Sequence, residues 1–375
     1  MSQTDIAVVG GGPAGTLSAL NLAKNGYKIS LFEEHQSAGF PVQCAGLVSE
    51  DCIKLLKSYV NPDRFLLNSI HGAYFFSPSG DFIKVKGKTR AAVVERKLMD
   101  TELLKAASSV AEIFVKEKVL SVNLHGDSVY LKTSRSNYSS KYIVGADGVY
   151  SKVARDLKFE RPKILSAIQL ESRFECMDEK YVELYFGREY SDFFFGYAVP
   201  TGDEFARIGV VSKNNAFYWI SKLLREHPSV SQRVECTKSC ELNCGAIPFG
   251  LVDFVKKNAV LIGDSAGMVK PYTGGGIYYL ALAAECLGEH FPDLEEFRSR
   301  YLQKLGKEYR FGYKIARLYR ELSDEDYEYL IGVAEGIRFE ELHMDMPTTV
   351  LKVLPAFLKL LRNPKLSLRI AKCLL

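Results

Sequence analysis

The feature that most constrains this chain is a β-turn-α-β unit near its start. Asp5 to Val9 reads DIAVV, a short apolar run that leads directly into Gly10-Gly11-Gly12-Pro13-Ala14-Gly15. Leu17, Leu20, Leu22 and Ala23 follow at near-helical spacing, and after Gly26 a second strand-like run, Lys28 to Phe32, ends on Glu33 and Glu34. Each part has a physical task. Gly10 permits the tight turn, Gly12 lets the backbone approach a pyrophosphate, and Gly15 lets helix and strand pack closely. The free amides and positive dipole end of the helix then face the phosphates. Glu33, 18 residues beyond Gly15, sits where a carboxylate accepts hydrogen bonds from a ribose hydroxyl pair. A lone GxGxxG turn is common and binds nothing; strand, helix, second strand and acid in register predict a dinucleotide site.

At 375 residues the chain is long for one core and suits two or three packed layers or domains. With 47% apolar and 25% charged residues it is ordinary globular material, and a net charge of +4 is too small to argue for nucleic acid. No run approaches the roughly 18 apolar residues that a membrane span needs. A strand begins within five residues, so no signal peptide is expected and a cytoplasmic location is. Cys236, Cys240 and Cys244 recur every fourth residue without a second ligand pair at zinc-site spacing. No metal is expected there, and a disulfide would be unusual in a cytosol.

Two further segments repeat the physics of the first. Tyr142 to Val149 reads YIVGADGV, a strand ending in Gly145-Ala146-Asp147-Gly148. Val260 to Gly267 reads VLIGDSAG, with Asp264 at its strand end, followed by Pro271, Gly274-Gly275-Gly276 and an apolar helix from Ile277 through Ala284. A strand-end carboxylate can bind a polyol hydroxyl, and a glycine-rich helix start can hold phosphate or a flavin edge. In this order, these segments resemble the FAD proteins that include p-hydroxybenzoate hydroxylase. GADG is similar to that family's second fingerprint, and GDSAGMVKPYTGGG to its third, whose aspartate holds the ribitol. Val94-Glu95-Arg96, before a helix from Leu98 to Ala107, also matches. The resemblance implies an arginine, Arg96, over the flavin, and carries Ala14, Val119, Gly275 and Gly276 as cofactor contacts.

A narrower likeness comes from Pro41-Val42-Gln43-Cys44-Ala45-Gly46 and from Gly276-Ile277, which look like the archaeal geranylgeranyl reductases. That resemblance implies FAD as cofactor, Cys44, Ala45 and Ile277 against it, and an isoprenoid lipid as substrate. The implied electron donor is open between ferredoxin and NAD(P)H. From about 164 to 211 apolar and polar residues alternate, as in YVELYFG and FARIGVV, which predicts an antiparallel sheet. The reductases carry a tyrosine-x-tryptophan-x-phenylalanine-proline stretch along their lipid cavity; here the positions hold Phe195, Tyr197, Val199 and Pro200. Phe195, Tyr197 and Pro200 are therefore the expected cavity residues, and the departure leaves substrate identity open. The last 30 residues, from Met346, carry six basic residues and no acid among apolar ones. This pattern reads either as short helices able to lie on an anionic membrane or as a tail docked on its own domain.

The expected architecture is α/β. A Rossmann-like FAD-binding domain of the p-hydroxybenzoate hydroxylase type comes from residues 1–70, 90–160 and 245–290. Residues 71–89 and 161–244 form an antiparallel β-sheet substrate domain, and 291–375 a helical C-terminal region. The implied reaction saturates prenyl double bonds by hydride transfer from reduced flavin. An isolated alkene is a poor hydride acceptor, so an acid must protonate the other carbon; Cys44 and Tyr272 are the candidates. A hydroxylase or epoxidase on the same scaffold, and a flavoprotein that only carries electrons or binds lipid, are the alternatives. Flavin-dependent halogenases fit less well, because Phe195 and Tyr197 occupy the places of their paired tryptophans.

Overall fold

The structure, a computed structural model, describes residues 2–40, 44–235, 242–334, 339, 341–353, 355 and 363–374. Two sheets divide the chain. In the first, parallel strands Ala259–Leu261, Asn137–Gly145, Ser2–Val9, Ile29–Phe32 and Glu112–Phe114 lie side by side in that order. The Val119–His125 and Ser128–Thr133 hairpin extends it antiparallel from Asn137–Gly145. Helices cover the parallel strands, so all four residues of Ile29–Phe32 are buried, which explains their unbroken apolar run. Pro13–Ala23 packs against Ile277–His290, and Gly15 shows why glycine is needed: a Cβ there would lie 1.9 Å from the Gly10 carbonyl oxygen.

The second sheet runs Val234–Glu235, Lys163–Phe174, Phe205–Ser212, Gly196–Gly202, Tyr181–Tyr185, Leu66–Phe76, Phe82–Val94 and Leu47–Ser49, with Leu242–Phe249 also on Lys163–Phe174. Its pairing is antiparallel except between Tyr181–Tyr185 and Leu66–Phe76. The period-2 alternation between 164 and 211 thus forms the sheet it predicted. One face packs under the amphipathic Ala216–Glu226 helix, burying Tyr185, Ala198, Ile208 and Val210. The other face looks toward the first sheet.

Beyond residue 290 the chain is helical, with Leu294–Glu321, Asp324–Ala334 and Pro364–Leu374. The last of these settles its part of the tail. Leu366, Ile370, Cys373 and Leu374 face inward against Leu294–Glu321, and Arg369 pairs with Asp326. The apolar stripe that could have met a membrane is used on the protein's own domain. Residues 356–362 of that tail, like Pro41, Val42, Gln43, Cys236 and Cys240, lie outside the described residues; Cys244 is a free, exposed thiol. Among the described residues no helix is long and apolar enough to cross a membrane.

Candidate active site

A cavity of ≈ 990 Å³ lies between the two sheets, and residues from all three glycine-rich segments open onto it. Gly12, Ala14 and Glu33 come from the first, Ala146 and Gly148 from the second, and Asp264, Gly274, Gly275, Gly276 and Ile277 from the third. Two helices begin here, at Pro13 and Ile277, and neither has a side-chain cap on its first amides. The helices that begin at Glu50, Arg96, Lys152, Ala216 and Leu294 are all capped, by Ser49, Glu95, Ser151, Asn215 and Asp293. Uncapped amides facing a cavity suit an anion. A Cβ at Gly12 would meet nothing within 4 Å, so the turn leaves room for a ligand rather than for protein.

The carboxylates divide by role. Glu33, 8% exposed, accepts from the Gly11 amide at 2.7 Å and the His35 amide at 2.8 Å, which fixes it beside the turn with lone pairs to spare. Asp264 lines the cavity, and no hydrogen-bond donor among the described residues reaches its side chain. Burial pushes its carboxyl above the usual range, against the pull of Arg96. A buried carboxylate without a protein donor is the acceptor a ribitol hydroxyl would satisfy. Asp147 differs from expectation. Its oxygens accept from Ser151 Oγ at 2.6 Å and from the amides of Lys152 and Val153 at 2.6 and 3.0 Å. Its carboxylate caps the Lys152–Asp156 helix, and its neighbours Ala146 and Gly148 line the cavity instead. Val119 is buried in the core, and its side chain does not line the cavity.

Arg96 is no solvated charge. Its guanidinium holds Asp100 through two hydrogen bonds, at 3.1 and 3.0 Å, lines the cavity and also reaches the Cys44 thiol. Cys44 itself opens onto the cavity, with its sulfur accepting from the Gly46 amide at 3.4 Å. The loop bearing it is tied to the second sheet from two sides. Gln169 Nε2 donates to the Cys44 carbonyl at 3.2 Å, while Gln169 Oε1 accepts from Tyr197 at 2.9 Å. Arg207, 4% exposed, donates to the Ala45 carbonyl at 3.1 Å and pairs with Glu95 and Glu171 at 2.9 and 2.8 Å.

The apolar end of the cavity is walled by Phe186, Phe195, Tyr197, Val199 and Val211. Phe195 and Tyr197 stand where expected, but Pro200 does not. Successive strand residues point to opposite faces, so Pro200 shares the parity of Ala198, away from the cavity, and Val199 takes the third lining place. Tyr272 lines the cavity, yet its hydroxyl donates to the Met344 carbonyl at 2.6 Å, and burial raises its pKa well above the ordinary tyrosine value. In this arrangement its proton is engaged by that carbonyl.

Residues 342–350 were missed as part of the site. They return over the cavity, where Asp345 and Lys270, 1% and 6% exposed by side chain, form an ion pair at 2.7 Å. His343 Nε2 lies 3.0 Å from Asp51, Tyr279 donates to the Asp345 carbonyl at 2.9 Å, and Thr348 is bound by Glu308. The one sequence signal was Lys270, a cation embedded in an otherwise apolar and glycine-rich run.

Fold and site together define an FAD-dependent oxidoreductase. The FAD binding domain family model matches residues 3–207. Digeranylgeranylglycerophospholipid reductase of Methanococcus vannielii is 31% identical over 389 aligned positions, covering 95% of this chain and 96% of that one. The solved structure of a geranylgeranyl bacteriochlorophyll reductase-like protein from Thermoplasma acidophilum superposes with a TM-score of 0.81 at 21% identity, covering 96% of this chain and 98% of that one. A p-nitrophenol 4-monooxygenase from Pseudomonas putida shares the fold with a TM-score of 0.68 at 16% identity, over 96% and 99% of the two chains. The chain belongs to the FAD-binding family that the model describes and, within it, to the digeranylgeranylglycerophospholipid reductases.

Proposed function

We propose that this protein saturates the C=C bonds of geranylgeranyl chains in archaeal-type ether lipids or their precursors. The observation that carries the reading is the two-ended character of the larger cavity. Its polar end, with the uncapped helix starts, Glu33 and Asp264, suits FAD, and its other end is an apolar wall of Phe186, Phe195, Tyr197, Val199 and Val211 suited to a prenyl chain. Bound there in reduced form, FAD would supply hydride to one alkene carbon. The chain's own residues do the rest. The aromatic wall excludes water and holds the alkene, Arg96 and Arg207 fix the loop at residues 44–46, and the Cys44 thiol donates the proton to the second carbon. Reduced ferredoxin or NAD(P)H would recharge the flavin.

The test is anaerobic. The holoprotein, reduced with dithionite and given geranylgeranyl phospholipid, is expected to yield a mass ladder of two added hydrogens per double bond. No mass change, together with NADPH-dependent oxygen consumption on an aromatic substrate, would overturn the reading in favour of a hydroxylase. Cys44→Ser is expected to keep the FAD spectrum and lose about a hundredfold or more in turnover, the range of a positioned proton donor. Turnover close to wild type would remove Cys44 as the acid.

A further inference from the structure

Beside the cofactor cavity lies a second one, of ≈ 550 Å³, whose lining includes Lys163, Arg188, Lys213, Arg320 and Trp219. The same sheet face lines both. Along Lys163–Phe174, residues 163, 164 and 165 line the second cavity and 167 the first; 249 lines the second and 247 the first; and Lys213, just past the end of Phe205–Ser212, lines the second where 211 lines the first. Alternate strand residues share a face, so one surface runs from the cofactor residues to a basic mouth roughly 13 Å away, the length of four strand residues. Phe194, Phe195 and Tyr319 stand between, with ring centroids 5.3 to 6.0 Å apart, and Tyr319 lines both cavities.

The charge of the mouth is one-sided. Its carboxylate, Asp192, accepts from the amides of Lys213 and Asn214 at 2.7 and 3.0 Å. The ammonium groups of Lys163 and Lys213 have no ion-pair or hydrogen-bond partner among the described residues. Arg188 is held on the Arg320 carbonyl, and the Arg320 guanidinium lies 5.0 Å from the Phe193 ring centroid. Cations beside aromatic walls, with Tyr319 shared between this cavity and the apolar one, match an anionic head on a long hydrocarbon chain. Phe217 and Tyr218, 62% and 50% exposed, flank Trp219 at the start of its helix, side chains suited to the depth of lipid headgroups.

We propose that this second cavity binds the headgroup phosphate of the lipid whose prenyl chain passes Tyr319 into the cofactor cavity. The proposal rests on the reductase reading for the chain, but its binding part can be tested without turnover. Trp219 is the chain's one tryptophan, so its fluorescence reports occupancy directly. The FAD-loaded protein is titrated with dihexanoylphosphatidylglycerol, dihexanoylphosphatidylcholine and inorganic phosphate. A saturable response to the anionic lipid is expected, weakened about tenfold by the double substitution Lys163→Glu, Lys213→Glu and by 0.5 M salt. Both lysines are exposed, and an unchanged FAD spectrum checks that the variant is folded. In turnover, the same variant is expected to raise KM for the phospholipid about tenfold and leave that for uncharged geranylgeraniol within about twofold.

A response to phosphate as strong as to the lipid would overturn the lipid assignment and give the site to a small phosphate ester. No anion response, or one that charge reversal does not touch, would overturn the proposal altogether. Binding as expected without reduction of either substrate would leave the mouth intact and sink the reductase reading instead.

Discussion

At the scale of single residues, the site separates groups left facing the cavity from groups that hold each other. Asp264 has no hydrogen-bond donor among the described residues and faces the cavity, so Asp264→Ala is expected to weaken FAD binding by about ten- to a hundredfold, the worth of a hydrogen bond to a charged acceptor. Fluorescence titration of the apoprotein with FAD measures this, and an unchanged affinity would exclude Asp264 as a contact. Tyr272→Phe is expected to retain turnover within a few-fold and to cost about 1 kcal/mol of stability, because it loses only the hydrogen bond to Met344. Glu33 and Asp264 were legible because a strand end and a glycine turn fix where such side chains point. Asp147 looked the same in sequence, but Ser151 and a short helix sit within its reach and claim its carboxylate. Pro200 was misplaced for a simpler reason, since 195, 197 and 199 share a parity that 200 lacks.

At the scale of elements, the segment 342–350 is the part no local pattern could reveal. Its principal tie, Lys270 to Asp345, spans 75 residues, and sequence periodicity reports only near neighbours. Lys270→Met would leave Asp345 charged and unpaired in the interior, where one of its oxygens already has no partner among the described residues. Breaking such a buried pair is expected to cost about 3–5 kcal/mol in denaturant unfolding, with much of the loss recovered in the double variant Lys270→Met, Asp345→Leu. A single variant as stable as wild type would mean that the pair is not held in the folded protein. By contrast, the first β-turn-α-β unit, the strands before Asp147 and Asp264 and the sheet between 164 and 211 were readable, because each carries its own period and its own stops; Leu66–Phe76 and Phe82–Val94 were not read as strands.

Over the whole molecule, one buried histidine makes stability depend on pH. On the face of the second sheet away from the cavity, His227 is fully buried against Tyr185, Tyr190 and Phe76, and its Nε2 has no hydrogen-bond partner among the described residues. Burial lowers its pKa from 6.5 to about 4, assisted by Arg233 and opposed by the Ser77 backbone, Glu189 and Glu328. The folded state thus binds this proton more weakly than the unfolded chain. The associated stability is full above pH 6.5 and drains away as pH falls toward 4, by roughly 2 kcal/mol between pH 7 and 5. Urea unfolding at the two pH values should show this loss in the wild type and a smaller one in His227→Phe; equal losses would place the titration elsewhere.

The wall that residues 342–350 add to the cavity also ties occupancy of the site to the folding of segments far apart in sequence. Asp345, Thr349 and Val350 line the same cavity as Gly12 and Ala14, and Asp345 is held there by Lys270. A ligand seated in the cavity meets its full set of contacts only in the folded chain, so it draws the folding equilibrium toward the native state in proportion to its own occupancy.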